Sequence, residues 1–298
     1  MNVLKRIGIV ILALVLIIAA AGAILHFVGG SRMAKASGVP VRAVTVPTDA
    51  AAIARGEHLA HAVNVCVSCH GENLEGKPFI DGAPIGYLPA PNLTSGAGGI
   101  GGQLTDEQWA AAIRHGIGYD GRVLGGMPSN IYANISDDDL GALIAYLKSV
   151  PPVDNDLGPR QLQFPGTILF GVLGASTLPV NLIDHDKVGS VKPPEGVTTA
   201  YGEYLVNIAA CRECHSANLA GNVDPNGPPL GPNITPGGYL ADYNEAQFVA
   251  FMRSGVTPDG RQVSEEMPWL EYRLQTDDEL RALWIYLSQV APLPDNGQ

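Results

Sequence analysis

Charge is scarce in this chain. Asp, Glu, Lys and Arg together make up 16% of 298 residues, and aromatic residues only 6%. With 46% hydrophobic residues, that scarcity excludes a disordered polyelectrolyte, because ample apolar material exists to bury cores. Acid is missing altogether from residues 1–47, where Lys5, Arg6, Arg32, Lys35 and Arg42 are the only charges. The body is the reverse. Residues 48–153 hold 5 basic against 11 acidic side chains, and residues 195–298 hold 5 against 14. An acidic body repels phosphate backbones and excludes nucleic acid as a partner, while suiting a basic protein partner. Cysteine is absent outside two C-x-x-C pairs, Cys66/Cys69 and Cys211/Cys214. Walker loops, dinucleotide fingerprints and Ser-His-Asp arrangements are also absent, and strand-like alternation is scarce.

What is present begins with a long apolar run. Lys5 and Arg6 precede Ile7 to Val28, in which His26 is the only strongly polar residue. At 1.5 Å per residue this run is long enough to cross a hydrocarbon core of about 30 Å. The basic flank places the N-terminus in the cytoplasm and the body outside. A cleaved signal peptide is the alternative, with small residues Ala19 to Ala23 as a cleavage region, but signal cores are shorter. Either reading exports the body.

The rest of the chain repeats once. CVSCH at Cys66 recurs as CRECH at Cys211, PNLTSG at Pro91 as PNITPG at Pro232, and RHGIGYDGR at Arg114 as RSGVTPDGR at Arg253. Met127-Pro128 recurs as Met267-Pro268, and AYLKSVPPV at Ala145 as IYLSQVAPL at Ile285. The segment after the first CxxCH is longer than its counterpart. Helices are predicted over 49–63 and 199–209, running into the CxxCH motifs. Further helices are predicted behind the caps Thr105, Asn244, Ser136 and Thr276, whose apolar residues recur at i, i+3 and i+4. The expected fold is all-α. The expected organisation is an N-terminal anchor and linker (1–47), a first domain (48–153), an interdomain segment (154–194) and a second domain (195–298). The interdomain segment is too long and apolar for a bare linker, so it is expected to pack between or along the domains, and a second membrane contact over 168–183 is a weaker reading.

C-x-x-C-H is the haem-attachment signature. Two sulfurs form thioethers with the macrocycle, and the adjacent His70 or His215 sits under the iron. Zinc and a disulfide are the rival uses of C-x-x-C. Each pair, however, is followed directly by His and lies in its own repeat. The sixth ligand is expected from Met127 and Met267, which match each other, lie 57 and 52 residues after their histidines, and precede Pro. Met252 aligns with Ile113 and is expected to fill core. His58, His61 and His115 have no counterparts in the second half, so surface or core roles are expected for them. Arg114/Arg253, Arg122/Arg261 and Tyr132/Tyr272 do recur. They are candidates to hydrogen-bond the anionic propionates, with loop or helix-end structure as the alternative. Asn92/Asn233 and Thr94/Thr235 are candidates to line the haem edges.

On these motifs, together with Tyr146-Leu147 and Tyr286-Leu287, the chain resembles two class I cytochrome c domains in tandem. The stretch from NLTSG to DGRVLGGMPS is also similar to the cytochrome subunits of quinoprotein alcohol and aldehyde dehydrogenases. Those subunits carry three haem motifs where this chain has two. The resemblance implies two covalent haem c groups and electron transfer at the periplasmic face of the inner membrane, between a dehydrogenase or quinol-oxidising donor and a respiratory or photosynthetic acceptor. Enzymatic activity of its own is not expected, since a matched Met closes each iron. A dihaem enzyme and a wiring subunit of a larger complex are the competing readings.

Overall fold

Helices begin where the sequence supplies a cap. In the computed structural model, which describes residues 2–36, 38–224 and 230–297, Asp49 caps α2 (Ala50–His58) and Thr105 caps α4 (Asp106–His115). Ser136 caps α6 (Asp137–Ser149). In the second half Thr198 caps α9 (Thr199–Ile208), Asn244 caps α11 (Glu245–Ser254) and Thr276 caps α13 (Asp277–Leu287). Thr105, Asn244 and Thr276 complete capping boxes with Gln108, Gln247 and Glu279, satisfying otherwise orphan N–H groups at both ends of each pair. α2 continues through a π-helical turn (Leu59–Val63).

Short helices fill the remaining places in each half: α3 (Cys66–His70) and α5 (Ser129–Tyr132) in the first, α10 (Cys211–His215) and α12 (Trp269–Tyr272) in the second. The order of the α-helices is therefore the same in the two halves. In each half the first helix crosses the last, α2 on α6 and α9 on α13. A glycine sits at each crossing. A Cβ on Gly56 would lie 2.0 Å from the Ala142 carbonyl oxygen, and one on Gly202 would lie 2.0 Å from that of Ala282. Only the bare backbone allows the helices to approach this closely.

The core is shared. Leu59, Val63, Ile135, Leu140 and Leu143 of the first half join Tyr201, Leu205, Ile208, Leu280 and Leu283 of the second in one buried cluster. Polar side chains cross the same boundary. Arg55 forks onto Asp139 (3.1 and 3.0 Å) and reaches Glu279 at 3.2 Å. His58 donates Nε2–H to Glu279 at 2.7 Å, and the Tyr204 hydroxyl donates to Asp139 at 2.8 Å.

The expectation of an all-α chain needs correction. β1 (Lys77–Gly82) and β2 (Gly86–Ala90) form an antiparallel hairpin in the longer loop after the first CxxCH, and β3 (Gln161–Leu162) extends it to three strands. The backbone groups of so long a loop need partners, and a sheet supplies them. Its residues, KPFIDGAPIGYLPA, are too rich in Gly and Pro to show alternation.

At the N-terminus, α1 (Asn2–Ala34) is long and apolar enough to cross a membrane, and none of its most apolar stretch is buried within the chain. Residues 154–194 pack along the first half and the last turns of α1. Met33, Val123, Leu178 and Val180 form a second small core there. Two further short helices belong to this segment, α7 (Gly166–Ile168), which runs on into a π-helical turn (Leu169–Leu173), and α8 (Pro179–Leu182).

Candidate functional site

Each C-x-x-C-H motif is one turn of helix entered through a left-handed residue, Val65 (φ 46°) before α3 and Ala210 (φ 59°) before α10. Non-glycine residues rarely adopt this conformation, and here it recurs at the same place in both halves. It breaks the preceding helix so that a fresh turn can present both cysteines and the histidine together.

The histidines are each oriented through one ring nitrogen. His70 donates Nδ1–H to the Pro91 carbonyl at 2.9 Å, and His215 donates to that of Pro232 at 2.6 Å. A carbonyl only accepts, so the proton sits on Nδ1 and Nε2 keeps its lone pair. Burial favours the neutral ring in both cases and moves each pKa below its ordinary value. A neutral imidazole, oriented through its other nitrogen, is what an iron ligand requires.

None of the four cysteines is paired in a disulfide. Burial pushes Cys66 and Cys211 up to about 12, so both carry their protons. Among the described residues no three His, Cys, Asp or Glu side chains converge on a common metal position, so the two pairs do not assemble into a four-thiolate zinc site.

In the second half α10, α11 and the loop before α12 enclose an apolar cavity. Cys211, Cys214, His215, Phe248, Met252 and Met267 line it. A Cβ on Gly231 would fall 2.8 Å from His215 Nδ1, so bare backbone makes room for the ring. An apolar chamber with two thiols, an unprotonated imidazole nitrogen and a thioether on its walls fits haem c. Cys211 and Cys214 would attach it, and His215 and Met267 would be the ligands offered to its iron. In the first half Cys66, Cys69, His70 and Met127 hold the equivalent positions. Met127 and Cys66 both pack, half-buried, against the shared core. The two Met-Pro turns have one geometry, with ψ of 55° at both Pro128 and Pro268. Met252 is buried, as expected of a core residue, but it also contributes to the cavity wall.

The recurring tyrosines serve the fold of the site. Tyr132 donates its hydroxyl to the Asn64 carbonyl at 2.7 Å, and Tyr272 donates to that of Ala209. Each phenol thus ties the helix behind the Met loop to the chain entering the CxxCH turn. Arg114 spends its donors on Ile135 O (2.7 Å) and Asp137 (2.8 Å), and Arg253 on Gln275 O (2.7 Å) and Asp277 (2.6 Å). These arginines brace the start of the last helix in each half, the helix-end role weighed against the propionate one, while the buried Nε of Arg114 has no partner. Arg122 pairs with Asp120 and stacks over Tyr119 while its buried Nε has no partner; Arg261 stacks over Tyr239 and lines the cavity. Of this pair, Arg261 is the one at the wall of the described cavity. Asn92 and Asn233 donate to Val153 O and Leu293 O (both 2.8 Å), stapling each PN(L/I)T turn to the tail of its half. Thr94 and Thr235 hydrogen-bond to those asparagines (2.8 Å each). His61 bonds Tyr146 OH at 2.7 Å, and the Nδ1 atoms of His115 and His185 lie 2.9 Å apart.

Sequence reasoning missed how the two motifs meet. Ser68, between the first pair of cysteines, donates to Glu271 on α12 at 2.7 Å. Asn130 on α5 donates to Glu213, between the second pair, at 3.4 Å. Between them Asn64 donates to Ile208 O at 2.9 Å. Each CxxCH turn therefore faces the Met-loop helix of the other half.

Comparison with known proteins gives the same picture. Residues 51–147 match the family described as cytochrome C oxidase, cbb3-type, subunit III. The chain is 32% identical over 290 residues to the fructose dehydrogenase cytochrome subunit of Gluconobacter japonicus, covering 88% of this chain and 58% of that protein. It is 31% identical over 278 residues to the cytochrome c subunit of the quinone alcohol dehydrogenase of Gluconobacter oxydans, covering 83% and 56%. A diheme cytochrome c-type protein of Cereibacter sphaeroides is 28% identical over 260 residues, covering 79% and 85%. The chain thus spans little more than half the length of the first two relatives. With this family match and these relatives, the chain carries a cytochrome c domain over residues 51–147 and is similar over most of its length to cytochrome c subunits of dehydrogenases.

Proposed function

We propose that the chain is a membrane-anchored dihaem cytochrome c that passes electrons between a periplasmic dehydrogenase and an acceptor of the electron-transport chain. In this reading residues 48–153 and 195–298 are two cytochrome c domains. Cys66, Cys69 and His70 hold one haem with Met127 as sixth ligand. Cys211, Cys214 and His215 hold the other with Met267, and Arg122 and Arg261 face the propionates. Bound haem c supplies a one-electron iron couple whose potential Met/His ligation raises.

The observation that carries this reading is the duplication of the whole ligand geometry: the left-handed entry, the Nδ1-anchored histidine and the Met-Pro turn occur twice. The facing CxxCH turns support passage of an electron from one half to the other. The long apolar α1 supports an anchor in the inner membrane with the body in the periplasm. The names of the relatives favour a dehydrogenase complex as the setting, with this chain as its haem subunit.

Carbon monoxide added to the fully reduced protein tests the closed-iron part of the proposal. Two Met-ligated sites leave the Soret spectrum nearly unchanged. Binding at one or both sites would instead indicate an open iron and a dihaem enzyme.

A further inference from the structure

The segment from Gln161 to Ile183 contains no charged residue. Such a run would ordinarily be buried, yet Phe164 is 61% exposed, Leu173 70% and Leu182 54%. Its position along α1 explains the exposure. The Phe164 ring lies against Gly22, where an added Cβ would touch it at 3.7 Å, and edge-on to His26 with ring centroids 6.4 Å apart. His26 Nδ1 is 2.6 Å from the Thr167 hydroxyl. A Cβ on Gly29 would fall 2.2 Å from the Thr167 carbonyl oxygen, and one on Gly171 would fall 2.2 Å from that of Gly29. Arg32 donates to the Gly171 carbonyl at 3.3 Å. Backbone is pressed on backbone along this contact, so the segment is fixed to α1 at a set height.

That height coincides with the edge of a bilayer. With Lys5 and Arg6 at the cytoplasmic headgroups, a hydrocarbon core of about 30 Å takes roughly 20 residues of helix and ends near His26. Phe164 then lies at the outer margin of the hydrocarbon, while Thr167 and Gly171 lie at the headgroups. An uncharged segment that rises along the end of the anchor with apolar side chains facing outward suits this layer. Charge returns where the segment leaves it, at Arg160 on one side and at Asp184, Asp186 and Lys187 on the other.

We propose that residues 164–182 form a collar around the exit of α1 that inserts Phe164, Leu173 and Leu182 into the outer leaflet of the lipid bilayer and so seats the first half against the membrane surface. The occupant of this apolar face is lipid, because the face is continuous with the lipid-facing surface of α1. The inference rests on the anchor reading above, and the experiment separates the two.

All four native cysteines are consumed by thioethers in the loaded protein, so one introduced cysteine can be spin-labelled alone. Full-length haem-loaded protein bearing Leu14→Cys, Leu173→Cys or Val191→Cys is reconstituted in phosphatidylcholine vesicles. Relaxation by dissolved oxygen is compared with relaxation by a water-soluble nickel chelate. The Leu14 label reports the anchor and is expected deep in lipid. The Leu173 label is expected to be relaxed by oxygen and shielded from nickel, at a shallower depth. The label at Val191, which is 92% exposed, is expected to behave in the opposite way. A Leu173 label as open to nickel as that at Val191 overturns the collar and leaves the anchor intact. A Leu173 label shielded from both agents also overturns it, because another protein surface would then cover the segment. A Leu14 label outside lipid overturns the anchor itself.

Discussion

Glu279 is where the two halves are bonded most tightly, and Glu279→Gln tests that bond. Its side chain is 4% exposed. Burial alone would raise its pKa, but the hydrogen bond and charge of His58, the Thr276 N–H and the charge of Arg55 more than reverse that effect, taking it from the ordinary 4.5 to about 2. At 1.36 kcal/mol per unit, the difference of about 2.5 units corresponds to roughly 3 kcal/mol of stability at neutral pH. Glutamine keeps the carbonyl oxygen that accepts from Thr276 N–H, so the capping box survives and the loss belongs to the charge. Arg55 keeps its fork on Asp139 in the variant. Urea unfolding of the full chain in detergent, followed by near-ultraviolet circular dichroism, measures the difference. At pH 7 the variant is expected to be about 3 kcal/mol less stable. A depressed pKa means that the unfolded chain takes up the proton first as pH falls. The wild-type advantage is therefore complete above about pH 4.5 and is lost on approach to pH 2. Asp139 titrates in both proteins and cancels in the comparison. A variant within about 0.5 kcal/mol of wild type at pH 7, the range of a neutral surface change, or a gap that widens as pH falls, would refute the reasoning.

Three further outcomes follow from the site. Met127→Ala is expected to reduce the far-red band of ferric Met ligation by roughly half, since each of two sites contributes under Met/His ligation, while Met252→Ala leaves the band unchanged; a band lost with Met252 and kept without Met267 would reassign the ligand of the second half. Tyr272→Phe leaves the buried Ala209 carbonyl without its partner and is expected to cost about 1–3 kcal/mol in the same urea assay with the band intact; loss of the band would place the phenol at the cofactor. Gly202→Ala puts a Cβ 2.0 Å from Ala282 O, and overpacking of about 1–3 kcal/mol outweighs the ~1 kcal/mol gained in helix propensity, so differential scanning calorimetry should show a lower Tm; a higher Tm would mean that α9 and α13 part without cost.

Much of the site could be read from residues whose chemistry is local. The CxxCH turns, the Met-Pro turns and the six capped helices depend on neighbours within a few positions, and the repeat showed which of them belong together. The hairpin of β1 and β2 was invisible because its pairing, not its composition, makes it a sheet. The hydrogen-bond partners of Tyr132, Tyr272, Arg114 and Arg253 were hidden for a related reason. Their recurrence was plain, but a recurring donor can serve a propionate or a carbonyl, and only the fold shows which lies in reach. Gly56 and Gly202 recur at the same places in the two halves and could have been read as a helix crossing. The meeting of the two halves through Asn64, Ser68 and Glu279 had no signal in the repeat, because these contacts join positions that do not correspond.

The most direct test of the central claim is the intact mass of the purified, acid-acetone-extracted protein. The expected result is an added mass equal to two covalently bound haems, reduced to one by Cys66→Ser/Cys69→Ser and likewise by Cys211→Ser/Cys214→Ser. An added mass of one haem or of none in the wild type would contradict the dihaem account.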